Sequence, residues 1–261
     1  ALERLNKMTA PFILRRLKRE VLRELPPKIE SVLTATMEDE QRQLYLANAA
    51  QARRELAQDP DGRNRMNLLA LLTRLRQICC DPRLCYEDYG GGSCKLDACM
   101  ELLREAAGTG HKVLLFSQFT SMLAILAKKL EEEGLSYYLL QGSTSKESRA
   151  AMVESFNRDD TQVFLISLKA GGAGLNLTGA DLVILYDPWW NVSAQNQAAD
   201  RAHRIGQTRS VQVIRLIARD TIEEKILLLQ ESKRELVDAV IREGNAPLSA
   251  LSPEELLELL E

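Results

Sequence analysis

The sequence is poor in the residues that metal and nucleophilic chemistry draw on: two histidines and five cysteines in 261 residues. The cysteines fall at Cys79, Cys80, Cys85, Cys94 and Cys99 without a single CxxC spacing, so neither a zinc site completed by His111 nor a disulfide framework is indicated. A reducing compartment, cytosol or nucleus, is therefore expected. No apolar run approaches the roughly 18 residues of a membrane span. The opening ALERLNKMTAPF has no signal-peptide layout and no initiator Met, so the chain is expected to begin inside a longer protein. There is no GxxxxGK[ST] phosphate loop and no GxGxxG run. Ser117 and Ser167 have no His/Asp arrangement around them for nucleophilic catalysis.

What is present describes a folded domain. Hydrophobic residues make up 45% and charged residues 27%, the balance of an ordinary globular chain. A net charge of −3 excludes a wholly basic nucleic-acid binder, but a local basic track is enough to hold a polyanion. Residues 1–30 carry such a bias, with eight basic against four acidic side chains.

Periodicity divides the chain. PFILRRLKREVLREL reads as an amphipathic helix opened by Pro11 and closed by Pro26-Pro27. An extended stretch around Ile29–Met37 follows, then helices over 38–57 and 64–79 joined by a turn at Asp59-Pro60-Asp61-Gly62. Glu38-Asp39-Glu40 is read as an acidic first turn. The Gly90-Gly91-Gly92 run marks a boundary, giving a linker and helical protrusion over 1–92. From Ser93 onward five short apolar runs alternate with helical patterns: VLLF 113–116, YYLL 137–140, VFLIS 163–167, LVILY 182–186 and VQVIRLI 211–217. Strands apolar on both sides and separated by helices predict an α/β domain, a parallel sheet with helices on both faces, over 93–220. Capping boxes are read at Thr144/Glu147 and Thr221/Glu224, the second opening a helix over 221–242. A short final helix over 253–260 is expected to cap the domain, and the last unit spans 221–261.

In such sheets ligands bind beyond the carboxyl ends of the strands. Those ends carry Ser117-Gln118, Gln141-Gly142-Ser143-Thr144, Ser167-Leu168-Lys169 with a glycine-rich loop through Asn176, and Asp187-Pro188-Trp189-Trp190. Hydroxyls, amides and free backbone N–H groups suit phosphate oxygens. Taken alone, the glycine loop is equally explained by tight helix–strand packing. Next comes QAADRAHRIGQTR, read as a helix with Arg201 and Arg204 at i and i+3 on one face. Such a face is either solvated or a guanidinium clamp for phosphate, and the residues alone leave both open.

Read together, KVLLFSQFT, YLLQGSTS, SLKAGGAGLNLTGADLVILYDPWWN and QAADRAHRIGQTR resemble the C-terminal RecA-like lobe of the Swi/Snf-type ATPases of helicase superfamily two. PFILRRLKREVLRELPPK and LLTRLRQICCDPRL resemble the segments before that lobe, so the likeness runs from about Pro11 to Ile241. AHRIGQTR stands where RNA-unwinding DEAD-box relatives carry an HRxGRxGR-type motif, which favours a double-strand translocase.

The resemblance implies a set of roles. Arg201 and Arg204 would be arginine fingers reaching the γ-phosphate, with Gln197 and Asp200 as their polar partners. Gly172, Gly174 and Asn176 would approach the nucleotide, Asn176 near the ribose. Ser117, Gln118, Gln141, Ser143, Thr144, Ser167 and Lys169 would meet the DNA backbone, and Trp189 and Trp190 the DNA track. Residues 221–242 would be a brace helix packed across both lobes. ATP and Mg2+ would be held mainly by an N-terminal RecA-like lobe, which would supply the phosphate-loop lysine and the metal-binding acid. Partners would be double-stranded DNA, that lobe and a DNA-bound protein. The compact loops and the ending soon after the brace lead us to expect a prokaryotic or archaeal member, cytoplasmic and nucleoid-associated; a eukaryotic one would be nuclear. The competing reading is a DNA-binding or scaffold module that kept the fold and lost the motor.

Overall fold

The computed structural model describes residues 25–58, 65–170, 174–189 and 192–239. The expected helix from Pro11, the Asp59–Gly62 turn and the final short helix lie outside those residues.

The chain runs β1 (Lys28–Ala35), α1 (Asp39–Gln58), α2 (Arg65–Cys80), a 3-10 turn (Pro82–Leu84), α3 (Cys94–Gly108), β2 (Val113–Ser117), α4 (Thr120–Glu132) and β3 (Tyr137–Leu140). It continues with α5 (Lys146–Arg158), β4 (Val163–Ser167), β5 (Leu182–Leu185), α6 (Val192–Ala199), β6 (Val211–Ala218) and α7 (Ile222–Ala239). Six strands form one sheet in the order β1-β6-β5-β2-β4-β3, and every pairing is parallel. Among the described residues no helix is long and apolar enough to cross a membrane.

Successive residues of a strand point to opposite faces, and the sheet uses both. Val113, Leu115, Val163, Leu165 and Ile184 pack beneath α3 and α4, against Met100, Leu103, Leu123 and Leu126. Leu114, Phe116, Phe164, Ile166 and Val183 face the other way, toward Phe156 of α5 and Ala198 of α6. Phe164 stacks tilted against Phe156 at 5.2 Å between centroids, a favoured aromatic geometry. β2, β4 and β5 are buried along their whole length, so their sequences are apolar without alternation.

The sheet has one strand more than the five expected from apolar runs. Lys28–Ala35, which falls in the segment assigned to the linker, pairs residue for residue with Val211–Ala218. It is an edge strand: of its eight residues only Ala35 is buried, so no apolar run advertises it. Glu30, bonded to Lys28 at 2.7 Å and to Arg215 at 2.6 Å, places charge on that edge, as exposed edges commonly require.

A third apolar cluster joins α1, α2 and α7 through Tyr45, Leu72, Leu75, Ile78, Ile222 and Ile226. On α2, Leu68, Leu72, Leu75 and Ile78 are buried in this cluster, and Leu71 packs partly exposed against it. Polar side chains tie the cluster to the sheet. Gln41 donates to Ile78 O at 2.9 Å and accepts from Cys94 N at 3.1 Å, linking α1, α2 and α3. The Lys95 ammonium meets both oxygens of Glu223 at 2.8 Å, with both side chains fully buried. Glu223 also accepts from Ala218 N, and Lys95 lies 5.0 Å from the Tyr186 ring centroid. Burial alone would push the Lys95 ammonium down, but the Glu223 carboxylate outweighs it and holds the pKa above its ordinary value. All five cysteines are free, and burial pushes the thiols of Cys94 and Cys99 up to about 11 and about 12, which leaves them unreactive.

Two caps differ from expectation. α5 is capped by Ser145, whose hydroxyl accepts from Ser148 N, one residue after the predicted Thr144; Thr144 instead accepts from Gln141 N within the preceding turn. At α7, Thr221 accepts from Glu223 N as expected of a cap, but Glu224 reaches Asp220 N rather than closing the box on Thr221.

Removing one partner of a buried ion pair strands the other charge. Glu223→Gln should therefore lower unfolding free energy by about 3 kcal/mol in urea denaturation. The double replacement Lys95→Met, Glu223→Leu should lose less than either single change; an equal or larger loss would contradict the paired-charge account.

Candidate functional site

Because all six strands point the same way, their carboxyl ends line one edge. The chain builds β2, β3 and β4 on one side, then crosses β2 to add β5 and β6 on the other. That reversal opens a crevice above β2, between the ends of β4 and β5.

Asp187, just past β5, organises the crevice floor. Its buried carboxylate accepts from the Ser117 hydroxyl, from Gln118 N at 3.2 Å, and from Gln118 Nε2 at 2.9 Å. Ser117 is fully buried and its oxygen also accepts from Phe119 N at 3.1 Å. There the hydroxyl holds the turn. Ser167 is likewise buried, and its hydroxyl accepts from Ala170 N at 3.3 Å. Gln118 is only half-buried, and the carboxylate fixes which end of its amide is the nitrogen, since only N–H can face it.

The other predicted backbone-contact residues remain accessible. Gln141 and Thr144 form a turn closed by Thr144 N to Gln141 O at 3.1 Å, with Ser143 exposed at its tip. Lys169 is exposed beyond β4, and Trp189 is half-buried beyond β5. Gly172 and Trp190 lie outside the described residues.

The glycine loop and the arginine motif come together. Gly174 and Asn176 are exposed, with φ +25° at Gly174. Leu177 N, the next residue, donates to Arg201 O at 3.1 Å. Asn157 of α5 clamps the loop from behind, donating to Asn176 O and accepting from Gly179 N, both at 2.9 Å. A Cβ at Gly179 would lie 3.0 Å from Asn157 Oδ1 and 3.1 Å from its Cα, which explains the glycine there.

The arginines are not on a helix, contrary to the reading of QAADRAHRIGQTR as one. α6 ends at Ala199, and the chain tightens through Arg201 N to Ala198 O and Ala202 N to Ala199 O. The cause is tertiary. Buried Gln207 donates its amide to Thr178 O, Ala180 O and Ala202 O, at 3.2, 2.7 and 3.2 Å, and accepts from Arg209 N at 2.9 Å. That capture folds residues 200–206 back over the 174–180 loop, and Gly206 takes the φ of +102° the return requires. His203 Nε2 donates to Pro26 O at 2.7 Å, holding the turn against the start of β1.

Arg204 Nε donates to Asp200 O at 3.2 Å. Arg201 is 4% exposed, and its pKa is depressed, first by burial and then by the Arg204 charge, with Asp200 opposing. Two guanidiniums that feel one another in a partly desolvated turn favour an anion placed between them. Gln197 is exposed on α6 before this turn, and Asp200 is half-buried in it. Among the described residues no three His, Cys, Asp or Glu side chains converge as a metal site.

Sequence reasoning missed the structural roles of Asp187, Gln207 and Asn157. A lone acid closing an apolar strand was a visible signal for Asp187. The other two act on backbone groups far away in sequence, and no local pattern marks them.

Comparison with known proteins agrees with this fold. Residues 94–206 match the helicase conserved C-terminal domain, and residues 1–84 match the SNF2-related domain. The chain is 39% identical over 263 residues to a putative ATP-dependent helicase/translocase of Bacillus subtilis, covering 98% of this chain and 28% of that protein. It is 41% identical over 278 residues to the chromodomain-helicase-DNA-binding protein 1-like of Danio rerio, covering 99% and 26%. The chain thus spans about a quarter of the length of the curated relatives it matches. Among solved structures, the C-terminal domain of the Sulfolobus solfataricus SWI2/SNF2 ATPase superposes with a TM-score of 0.71 at 31% identity, over 90% of this chain and 98% of that one. The core of the same ATPase in complex with double-stranded DNA gives 0.72 at 34% identity, over 99% and 56%.

Gln207→Leu would remove the amide that ties the arginine turn at Ala202 O to the loop carbonyls of Thr178 and Ala180. We expect a loss of roughly 2–4 kcal/mol in urea denaturation, with new protease cleavage confined to residues 200–210. Unchanged stability and cleavage would show that the turn does not depend on this amide.

Proposed function

The chain belongs to the Swi/Snf-type ATPases of helicase superfamily two, as their C-terminal RecA-like lobe, and on that premise we propose that it is the arginine-finger half of a motor that translocates on double-stranded DNA and remodels protein–DNA complexes. The observation that carries this reading is the arginine turn, where Arg201 O accepts from Leu177 N beside Gly174 and Asn176 and the Arg201 and Arg204 charges feel one another.

In this reading the lobe contributes charge and position. The Arg201 and Arg204 guanidiniums stabilise negative charge as a phosphoryl group is transferred. Gln197 and Asp200 orient them, and Gly174 and Asn176 let the backbone approach the nucleotide. Bound ATP and Mg2+ would supply the transferred phosphoryl group and its charge screening, and the N-terminal lobe would hold them.

Gln118, Gln141, Ser143, Thr144, Lys169 and Trp189 form the track for the DNA backbone, with Ser117 and Ser167 shaping it from within. Such contacts follow the phosphates and read no sequence, so binding should weaken steeply with salt. The DNA complex of the Sulfolobus relative supports a duplex as the ligand.

In the full-length protein, Arg204→Ala should lower DNA-stimulated ATP hydrolysis by about 10³ or more, with ATP binding near normal. A change of only a few fold would remove Arg204 from the finger role and favour the scaffold reading. The 261-residue chain alone should bind ATP weakly and show no DNA-stimulated turnover; measurable turnover by the purified chain would contradict the half-site account.

A further inference from the structure

The end of β5 is held from two helices that lie outside the lobe's own β-α-β frame. From α2, the Arg76 guanidinium, only 2% exposed, donates to Pro188 O across 112 residues of sequence. It also lies 5.7 Å from the ring centroid of Phe119, the residue that follows Gln118. From α7, the brace helix, the buried Gln230 amide donates to Trp189 O. Between these two anchored carbonyls and β5 stands Asp187, and both of its oxygens are engaged by Ser117 and Gln118.

This arrangement is a linkage. A carboxylate bonded through both oxygens cannot rotate without losing a donor, so Asp187 moves as one piece with Gln118. Its backbone cannot shift without dragging Pro188 O and Trp189 O away from Arg76 and Gln230. α7 in turn is fixed at its start by Tyr45, whose phenolic oxygen accepts from Ile222 N at 2.7 Å, and by the Lys95–Glu223 pair. Any tilt of α7 is therefore delivered to the segment 187–189 and onward to the strand end that carries Gln118.

We infer that Asp187 is a positioning residue through which the brace helix and α2 set the two groups, Gln118 and Trp189, that face the DNA track. The inference rests on the functional reading above, which places Gln118 and Trp189 against duplex DNA. It adds that the helices packed behind the sheet tune the grip on DNA without touching it. Gln230 and Arg76 act through Asp187 and Trp189, and contact neither nucleotide nor DNA.

The test uses the full-length protein with a short duplex, reading both the duplex concentration that half-saturates ATP hydrolysis and the rate at saturating duplex. Gln230→Met keeps length, packing and helix propensity while removing the donor. Gln118→Ala should raise the half-saturating duplex concentration about fivefold to tenfold, as expected for one lost hydrogen bond of ordinary net strength. Gln230→Met should raise it about threefold, with the saturated rate within about twofold of wild type. The pair together should fall clearly short of the product of the two single effects, because coupled residues are non-additive. Asp187→Asn, which keeps the shape but removes one acceptor oxygen, gives a second route should Gln230→Met fold poorly, and should behave in the same way. Multiplying effects, or wild-type half-saturation in both folded variants, would overturn the linkage. Equilibrium duplex binding without ATP separates the two proposals: a wild-type protein that binds no duplex overturns the functional reading, whereas one that binds duplex regardless of Asp187 and Gln230 overturns only this inference.

Discussion

Six strands that all run in one direction put every carboxyl end on one edge, and the rest of the molecule follows from that constraint. Parallel strands need a crossover between each pair, so helices must cover both faces and the strands must be apolar throughout. The polar residues are left to the strand ends, where β2, β3, β4 and β5 deliver Gln118, Gln141, Lys169 and Asp187 to a single rim. The chain reverses direction across β2, and the crevice opens at that reversal. No single strand end makes a site; the sheet makes it by alignment.

The arginine turn shows how far a site depends on groups that touch no ligand. Left to local preference, an alanine- and arginine-rich segment continues as a helix. Here the Gln207 amide competes for the carbonyls of residues 178, 180 and 202, and Leu177 N takes that of Arg201, so the helix stops at Ala199. Arg201 is thereby buried, and burial holds its pKa below the ordinary value. Behind the rim, Asp187, Arg76, Gln230 and the Lys95–Glu223 pair do the same for the DNA-facing edge. In both places buried polar side chains hold backbone groups and one another, and so fix where exposed groups stand.

The fold was largely legible because the five inner runs are short and apolar on both sides, the pattern that strands covered by helices on each face require. The sixth strand was legible as an extended stretch around Ile29–Met37 but not as part of the sheet: Lys28–Ala35 is an edge, alternates poorly, and shows its membership only through pairing with β6. Capping at α5 slipped by one residue because Thr144 and Ser145 are adjacent hydroxyls and the backbone, not the side-chain chemistry, chooses between them. Within the site, motif residues were legible as a set, but burial was not. Ser117 and Ser167 read as surface hydroxyls in sequence and are interior supports in the fold. Asp187 and Gln207 act on partners 69 and up to 29 residues away, distances at which spacing carries no information.

On the proposed reading this lobe is half of a catalytic site, complete only when a second lobe brings nucleotide to Arg201 and Arg204. The most direct measurement is a structure of the full-length protein bound to duplex DNA and a metal-fluoride transition-state analogue of ATP. At least one of the two guanidiniums should lie within about 3 Å of the analogue's equatorial fluorides, with the turn still held by Gln207. A closed complex in which the analogue is fully bound while both arginines face solvent would contradict it.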